Sequence, residues 1–484
     1  MRRTLFIVKA ILIIAILPLQ AQWQSKVDKL LLQKDLNSAL FAIQVMSAEG
    51  EVLYERNPHV GVMPASTLKM VTTLSALGIM GPKYKYRTVV GYKGSILEDC
   101  TLYGDLVLIG SGDPSFGSDK DDRAVSLDER LNDITTAIEE NISCVEGKLL
   151  VDATIFDNEA VHPGWAWDDL SNYYATGIWG LNIHENLFHL SFSRSSTPGS
   201  ITSIGKIEPH VNGLQILNEV RVGAKGSHDE AFIYGDPYEW KKQIHGTIPP
   251  GLNNFKIKGA IPDSRLWFAQ LLKDRLQSRG ISVSEIEVVE RPIQGFEELA
   301  SFNSVELREL VQHANEVSDN LYCDVFLKTI GAKYEGMGTW KSGQEGLISY
   351  FKKSKITTTG YHQEDGSGLT MRNRVSASFM TEFLLHHVNK LSAGELKYLL
   401  PQAGVNGSVK NFLNGYESQS HAWLKSGSIN AVVAYTGILE IAPMEHVLIY
   451  IASNGHTKSN RTIRSHIERI IDTVYQGLSS SNKQ

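Results

Sequence analysis

The chain has 484 residues, 42% hydrophobic and 21% charged, which is enough apolar material for a large core and too long for one average domain. Its formal net charge is −6 and no basic stripe with interleaved aromatics runs through it, so nucleic-acid binding through an overall positive field is excluded. Three cysteines, Cys100, Cys144 and Cys323, allow at most one internal bridge and exclude a disulfide framework.

Residues 1–21 read as a secretory signal peptide. Arg2, Arg3 and Lys9 give a basic start, Ala10 to Leu17 is apolar, and Leu19-Gln20-Ala21 fits a cleavage site. The apolar run is too short to span a bilayer, so no stable membrane span is expected after cleavage. No cysteine follows it, which argues against a lipid anchor. Export, to a periplasmic location, is the expectation. Removing these residues leaves 44 basic and 53 acidic side chains, a net charge of −9.

Residues 39–55 then read as a β-hairpin around Ala48-Glu49-Gly50. After Pro64, the run from Ser66 to Leu74 predicts a buried helix ending near Gly78. Residues 86–299 read as one or two β-rich modules, with strands such as Leu102–Ile109 and Lys148–Asp152. Cys100 and Cys144 flank these strands, and a bridge between them is expected at even odds with two separate thiols. From residue 300 the pattern turns helical, over 304–317 and 319–330. A further helix, N-capped by Ser376, runs to about Lys390. Strands follow at Ser428–Glu440 and His446–Ala452, then a helix over Arg461–Gln476. The sum is an α/β, multi-domain chain: one domain in two parts, 22–85 and 300–484, split by the insertion at 86–299.

Three short motifs carry the chemistry. Ser66-Thr67-Leu68-Lys69 is an S-x-x-K. Its rivals at Ser203-Lys206, Ser349-Lys352 and Ser480-Lys483 lack the apolar helix that begins at Ser66. A spacing of three puts Lys69 one turn along on the same face, where a lysine can act as base to a serine. Ser318-Asp319-Asn320 is an S-x-N at a junction between helices. Lys425-Ser426-Gly427 is a K-S-G within a candidate strand; a second copy, Lys341-Ser342-Gly343, reads as a surface loop. In the order S-x-x-K, S-D-N, K-S-G the set matches that of class A β-lactamases and penicillin-binding proteins.

Beyond the motifs the sequence resembles the class C low-molecular-mass penicillin-binding proteins, the D-alanyl-D-alanine carboxypeptidase/endopeptidase family S13 related to penicillin-binding protein 4. Gly110–Phe116, Gly164–Leu170, Asp365–Leu369 and Leu400–Val405 resemble its signatures. The 252-residue gap from Ser66 to Ser318 fits a family with inserted domains. The resemblance implies a β-lactamase/transpeptidase-like domain, an antiparallel sheet with helices, split by the insertion. It implies catalytic roles for Ser66 (nucleophile), Lys69 (base) and Ser318 (proton relay). Asn320, Lys425, Ser426, Gly427 and Ser428 would bind substrate, with the N–H groups of Ser66 and Ser428 as oxyanion hole. The implied partners are peptidoglycan peptides and β-lactams, with no cofactor, no metal and no nucleic acid. The rival functions are a β-lactamase or esterase with the same site, and a non-catalytic peptidoglycan-binding scaffold.

Other features read as ordinary structure. Cys323 falls in line with Phe326, Leu327 and Ile330 as a core thiol. His184 and His189 are five apart, which does not place them on one helix face for a metal. His386-His387 is expected on a helix surface. Gly110–Gly117 lacks the Lys-Ser/Thr of a phosphate loop and reads as a turn.

Overall fold

A computed structural model describes residues 22–193 and 195–481; the signal-peptide reading at 1–21 lies outside them. The described residues form two compact units, one within residues 22–75, 311–318 and 348–481, the other within 76–310 and 319–347. The class is α/β with several sheets, and the second unit is the β-rich region that interrupts the first.

The first unit is built on a five-stranded antiparallel sheet. Its strands are β1 (Leu40–Ser47), β2 (Val52–Arg56), β3 (Ala422–Ile429), β4 (Val432–Ala442) and β5 (Glu445–Asn454), in the spatial order β3-β4-β5-β1-β2. Chain ends thus meet in one sheet: Leu40 pairs with Asn454 and Ser47 with Val447. The β1–β2 hairpin turns where Ser47 N–H donates to Glu51 O at 2.8 Å, with Gly50 at φ +90°, a conformation that favours glycine.

Helices of this unit include α4 (Ala377–Leu391) and α5 (Asn460–Ser481), with residues 69–75 of α1 (Lys69–Met80) and 311–317 of α2 (Leu307–Val317); α3 (Asn320–Glu335) belongs to the second unit. Ile43 and Val45 of β1 and Ile449 and Ile451 of β5 share one core with Ile463, Ile467, Ile470 and Ile471 of α5, the 3–4 spacing of one helix face. α4 packs against β1 and β5. Its N-cap is Ser376, whose hydroxyl accepts from Phe379 N–H at 3.2 Å. The expected single strand Ser428–Glu440 is instead two strands. The chain reverses between Ile429 and Val432, with Ala431 at φ +57°, so the K-S-G lies on β3 and its partner strand follows it.

The second unit centres on a six-stranded sheet of Ile286–Val288, Leu149–Asp152, Thr101–Ile109, Arg87–Ile96 and Glu297–Asn303, with Cys144–Val145 beside Thr101–Ile109. Two helices that the β-rich reading missed, Leu127–Glu139 and Ser264–Ser278, share its core. None of the three cysteines is in a disulfide. Thr101, not Cys100, stands opposite Cys144; side chains alternate faces along a strand, and Cys100 sits in the preceding turn at φ +64°. Cys323 is fully buried. The second K-S-G is not a loop: Lys341–Gly343 lies in the helix Trp340–Ser354, where Ser342 accepts from Thr339 N–H at 2.9 Å.

His387 also departs from expectation, being buried on α4 rather than on its surface. Its ring centroid lies 4.2 Å from that of Phe383. Its Nδ1 donates to Phe383 O at 2.8 Å, and Tyr350 Oη lies 3.2 Å from Nε2. Burial, reinforced by the charges of His386 and Lys390, pushes its pKa down from 6.5 to about 3. In the unfolded chain the ring takes up a proton first as pH falls, so this group's stabilisation is complete above about 6.5 and is lost between 6.5 and 3. Replacing it with Phe should flatten the pH dependence of stability over that range relative to the parent, measured by denaturant unfolding at a series of pH values.

Candidate active site

The first motif sits at a bend. Ala65–Leu68 forms a 3-10 turn leading into α1, with Ala65 held at φ +46°. The entry is clamped: Asn454 at the end of β5 accepts from Met63 N–H at 2.8 Å and donates to Met63 O at 3.1 Å. Thr67 Oγ1 donates to Pro64 O at 2.6 Å. This leaves Ser66 half-buried while Lys69, at 0% exposure, points back to it. Lys69 Nζ donates to Ser66 Oγ at 2.9 Å and to Ser367 O at 2.7 Å.

The Ser367 carbonyl was not legible as part of the site. It is delivered by a loop that Asp365 pins from within. The buried Asp365 carboxylate accepts from Gly368 N–H at 2.9 Å, Thr370 N–H at 2.7 Å and Asn373 Nδ2 at 2.8 Å. Thr72 of α1 donates to Gly366 O at 2.7 Å. Gly368 has φ +84°, and a Cβ there would fall 2.1 Å from Ala65 O, so the loop and the strained turn before Ser66 fit only because that residue is glycine.

β3 forms the other wall. A Cβ on Gly427 would lie 2.9 Å from Ser66 N and 2.7 Å from Pro64 O; the strand backbone therefore lies directly against the turn. Lys425, fully buried, donates to Ser318 Oγ at 2.8 Å and to Ser426 O at 2.9 Å. Ser318 is at φ +62°. Ser426 Oγ lies 2.8 Å from Ser408 Oγ, and Ser428 Oγ accepts from Asn460 Nδ2 at 2.8 Å. Ser408 and Asn460 were not found from sequence, because nothing in their local pattern sets them apart. In the second unit, Asn320 begins α3 and donates to Tyr174 O at 2.7 Å.

Of the predicted site residues, Ser66, Lys69, Ser318, Lys425, Ser426, Gly427 and Ser428 thus converge within one unit. A buried amine within reach of a serine hydroxyl is the arrangement of an activated nucleophile. No group of three or more His, Cys, Asp or Glu side chains suited to a metal occurs among the described residues. His184 lies in a turn and His189 on the strand Leu187–Phe192. No helix among the described residues is long and apolar enough to cross a membrane.

The model of the D-Ala-D-Ala carboxypeptidase 3 (S13) family matches residues 23–474. A D-alanyl-D-alanine carboxypeptidase of Actinomadura sp. (strain R39) is 25% identical over 453 residues, 89% of this chain and 80% of that one. The crystal structure of penicillin binding protein 4 (dacB) from Haemophilus influenzae superposes with a TM-score of 0.81 at 21% identity, covering 94% of this chain and 99% of that one; the same protein has been solved in complex with a β-lactam. Bd3459, a predatory peptidoglycan endopeptidase from Bdellovibrio bacteriovorus, matches with a TM-score of 0.51 at 15% identity, covering 90% and 92%. The structural likenesses establish a shared fold.

The closeness of β3 to the turn yields a prediction. Gly427→Ala must push the strand away from Ser66. It should slow acylation of the protein by a fluorescent penicillin at least about a hundredfold, the scale of losing one well-placed oxyanion donor, while the protein remains folded by circular dichroism.

Proposed function

The chain belongs to the D-Ala-D-Ala carboxypeptidase 3 (S13) family, and from that premise we propose that it hydrolyses peptidoglycan stem peptides through an acyl-enzyme on Ser66. It is a serine-type D-Ala-D-Ala carboxypeptidase with D,D-endopeptidase activity on the same site. The observation that carries the residue assignment is the 2.9 Å contact between Ser66 Oγ and the fully buried amine of Lys69.

In this reading neutral Lys69 takes the proton of Ser66 as its oxygen attacks the carbonyl of the penultimate D-alanine. A lysine serves as a base when desolvation favours its uncharged amine. The N–H groups of Ser66 and Ser428 hold the oxyanion, the contribution that is usually largest in acyl transfer. The peptide C–N bond then breaks, and the leaving amine receives a proton through Ser318, which Lys425 holds in place at 2.8 Å. Asn320 grips the substrate backbone, and Lys425 and Ser426 attract the terminal carboxylate. Water, activated by the same lysine, cleaves the ester and restores Ser66. β-Lactams acylate Ser66 by ring opening, and the ring-opened adduct leaves slowly.

We further propose that residues 22–85 and 300–484 form the transpeptidase-like domain and 86–299 the inserted region. Residues 1–21 would direct export to the periplasm.

The test is hydrolysis of a peptide ending in D-Ala-D-Ala, followed by release of D-alanine. The parent enzyme should release it. Ser66→Ala and Lys69→Ala should each lower kcat by several orders of magnitude, because nucleophile and base act as a unit. Undiminished release by Ser66→Ala would refute the assignment.

A further inference from the structure

Sequence and packing together give β3 a feature that the S-x-x-K, S-D-N and K-S-G motifs do not account for. β3 is the edge strand of its sheet. Its side chains alternate: Gly427 faces the turn at Ser66, while Ser426 and Ser428, one residue either side, stand over Tyr435 and Val433 of β4. On that side lies a cavity of about 680 Å³, lined by Ser408, Ser426, Ser428, Asn460, Arg461 and Arg464. The hydroxyl that the proposed function assigns to the substrate's terminal carboxylate is therefore also the rim of a second, polar space.

The two arginines differ in their commitments. Arg464 faces Glu468 with its Nε 3.5 Å from the carboxylate, donates to Asn411 O, and lies 5.3 Å over the Phe412 ring. Glu468 is itself engaged by Leu413 N–H at 3.0 Å. Arg461 makes no ion pair or hydrogen bond among the described residues. Its side chain is exposed, and its backbone is anchored to β3 through the preceding residue, Asn460, which donates to Ser428 Oγ at 2.8 Å and to Ile429 O at 3.3 Å. The cavity thus holds two guanidinium groups against one carboxylate, with serine hydroxyls and the amides of Asn411 and Asn460 beside the apolar Val433 and the Tyr435 ring, and its hydrogen-bond donors suit an anion.

We propose that this cavity is a leaving-group subsite and that Arg461 is its specificity-determining residue, selecting leaving groups that carry a second carboxylate beyond the terminal one. The inference rests on the peptidase reading above, with the substrate's terminal carboxylate at Ser426. A single D-alanine leaves with one carboxylate, which Ser426 and Lys425 already take. A cross-linked stem peptide leaves with more, and the group attached beyond Ser426 enters the cavity over the open edge of β3 and meets the uncommitted guanidinium. The subsite therefore favours endopeptidase substrates over terminal trimming.

The test uses two peptides with the same acyl part and the same scissile D-alanyl bond, one ending in D-Glu and the other in D-Gln. They are matched in size and differ in one carboxylate. The full-length mature enzyme should cleave the D-Glu peptide with a kcat/KM about tenfold higher, mostly through KM. Arg461→Ala should bring the ratio close to one, and Arg461→Lys should keep part of it. Cleavage of both peptides with a ratio near one, or a ratio that Arg461→Ala leaves unchanged, would overturn the subsite and leave the peptidase reading standing. Cleavage of neither by an enzyme that still hydrolyses a D-Ala-D-Ala peptide would overturn the subsite alone, and loss of that hydrolysis as well would overturn the peptidase reading.

Discussion

The architecture of the site depends on one buried contact, the amine of Lys69 held between Ser66 Oγ and Ser367 O. Placing a lysine at 0% exposure is costly unless its polar head is fully hydrogen-bonded. Ser66 Oγ and Ser367 O supply such bonds, and three parts of the fold hold that arrangement in place. α1 brings the lysine one turn from the serine. The loop at 366–368 brings a carbonyl, and Asp365 keeps that loop in shape by accepting three hydrogen bonds from it and its continuation. The clamp of Asn454 on Met63 fixes the approach to the turn. Chain segments separated by some 300 residues in sequence are thus tied to one amine.

A second constraint follows from the first. Ser66 is useful only if its backbone and that of β3 approach closely, and glycine at 427 allows it. The same closeness brings Lys425 to Ser318. Both lysines are buried and hydrogen-bonded at Nζ, so their side chains are held in one arrangement beside the close-packed backbones of Ser66 and β3.

Much of this was readable beforehand, for identifiable reasons. The S-x-x-K at Ser66 stood out from its three chance rivals because an apolar helix follows it, and that helix is present as α1. The hairpin at 39–55 and the cap at Ser376 were set by local turn and capping chemistry, and both appear. What escaped notice was decided by tertiary packing or by main-chain atoms. The Ser367 carbonyl has no side-chain signature. Ser408, Asn460 and Arg461 meet β3 only once the sheet and α5 have assembled. His387 was assigned to the surface, yet one ring nitrogen satisfied by its own helix lets it lie among aromatic rings. The reversal at Asn430–Ala431 was hidden by apolar residues continuing on its far side. The helix Leu127–Glu139, by contrast, was legible and overlooked: Ser126 and Glu129 form a capping box.

We propose that Ser66, activated by Lys69, is the residue that becomes acylated. Peptide mapping by mass spectrometry after reaction with labelled penicillin tests it most directly. One adduct per chain, carried by the peptide that contains Ser66 and absent from Ser66→Ala, is the predicted result. A label that maps to another residue, or full labelling of Ser66→Ala, would contradict it.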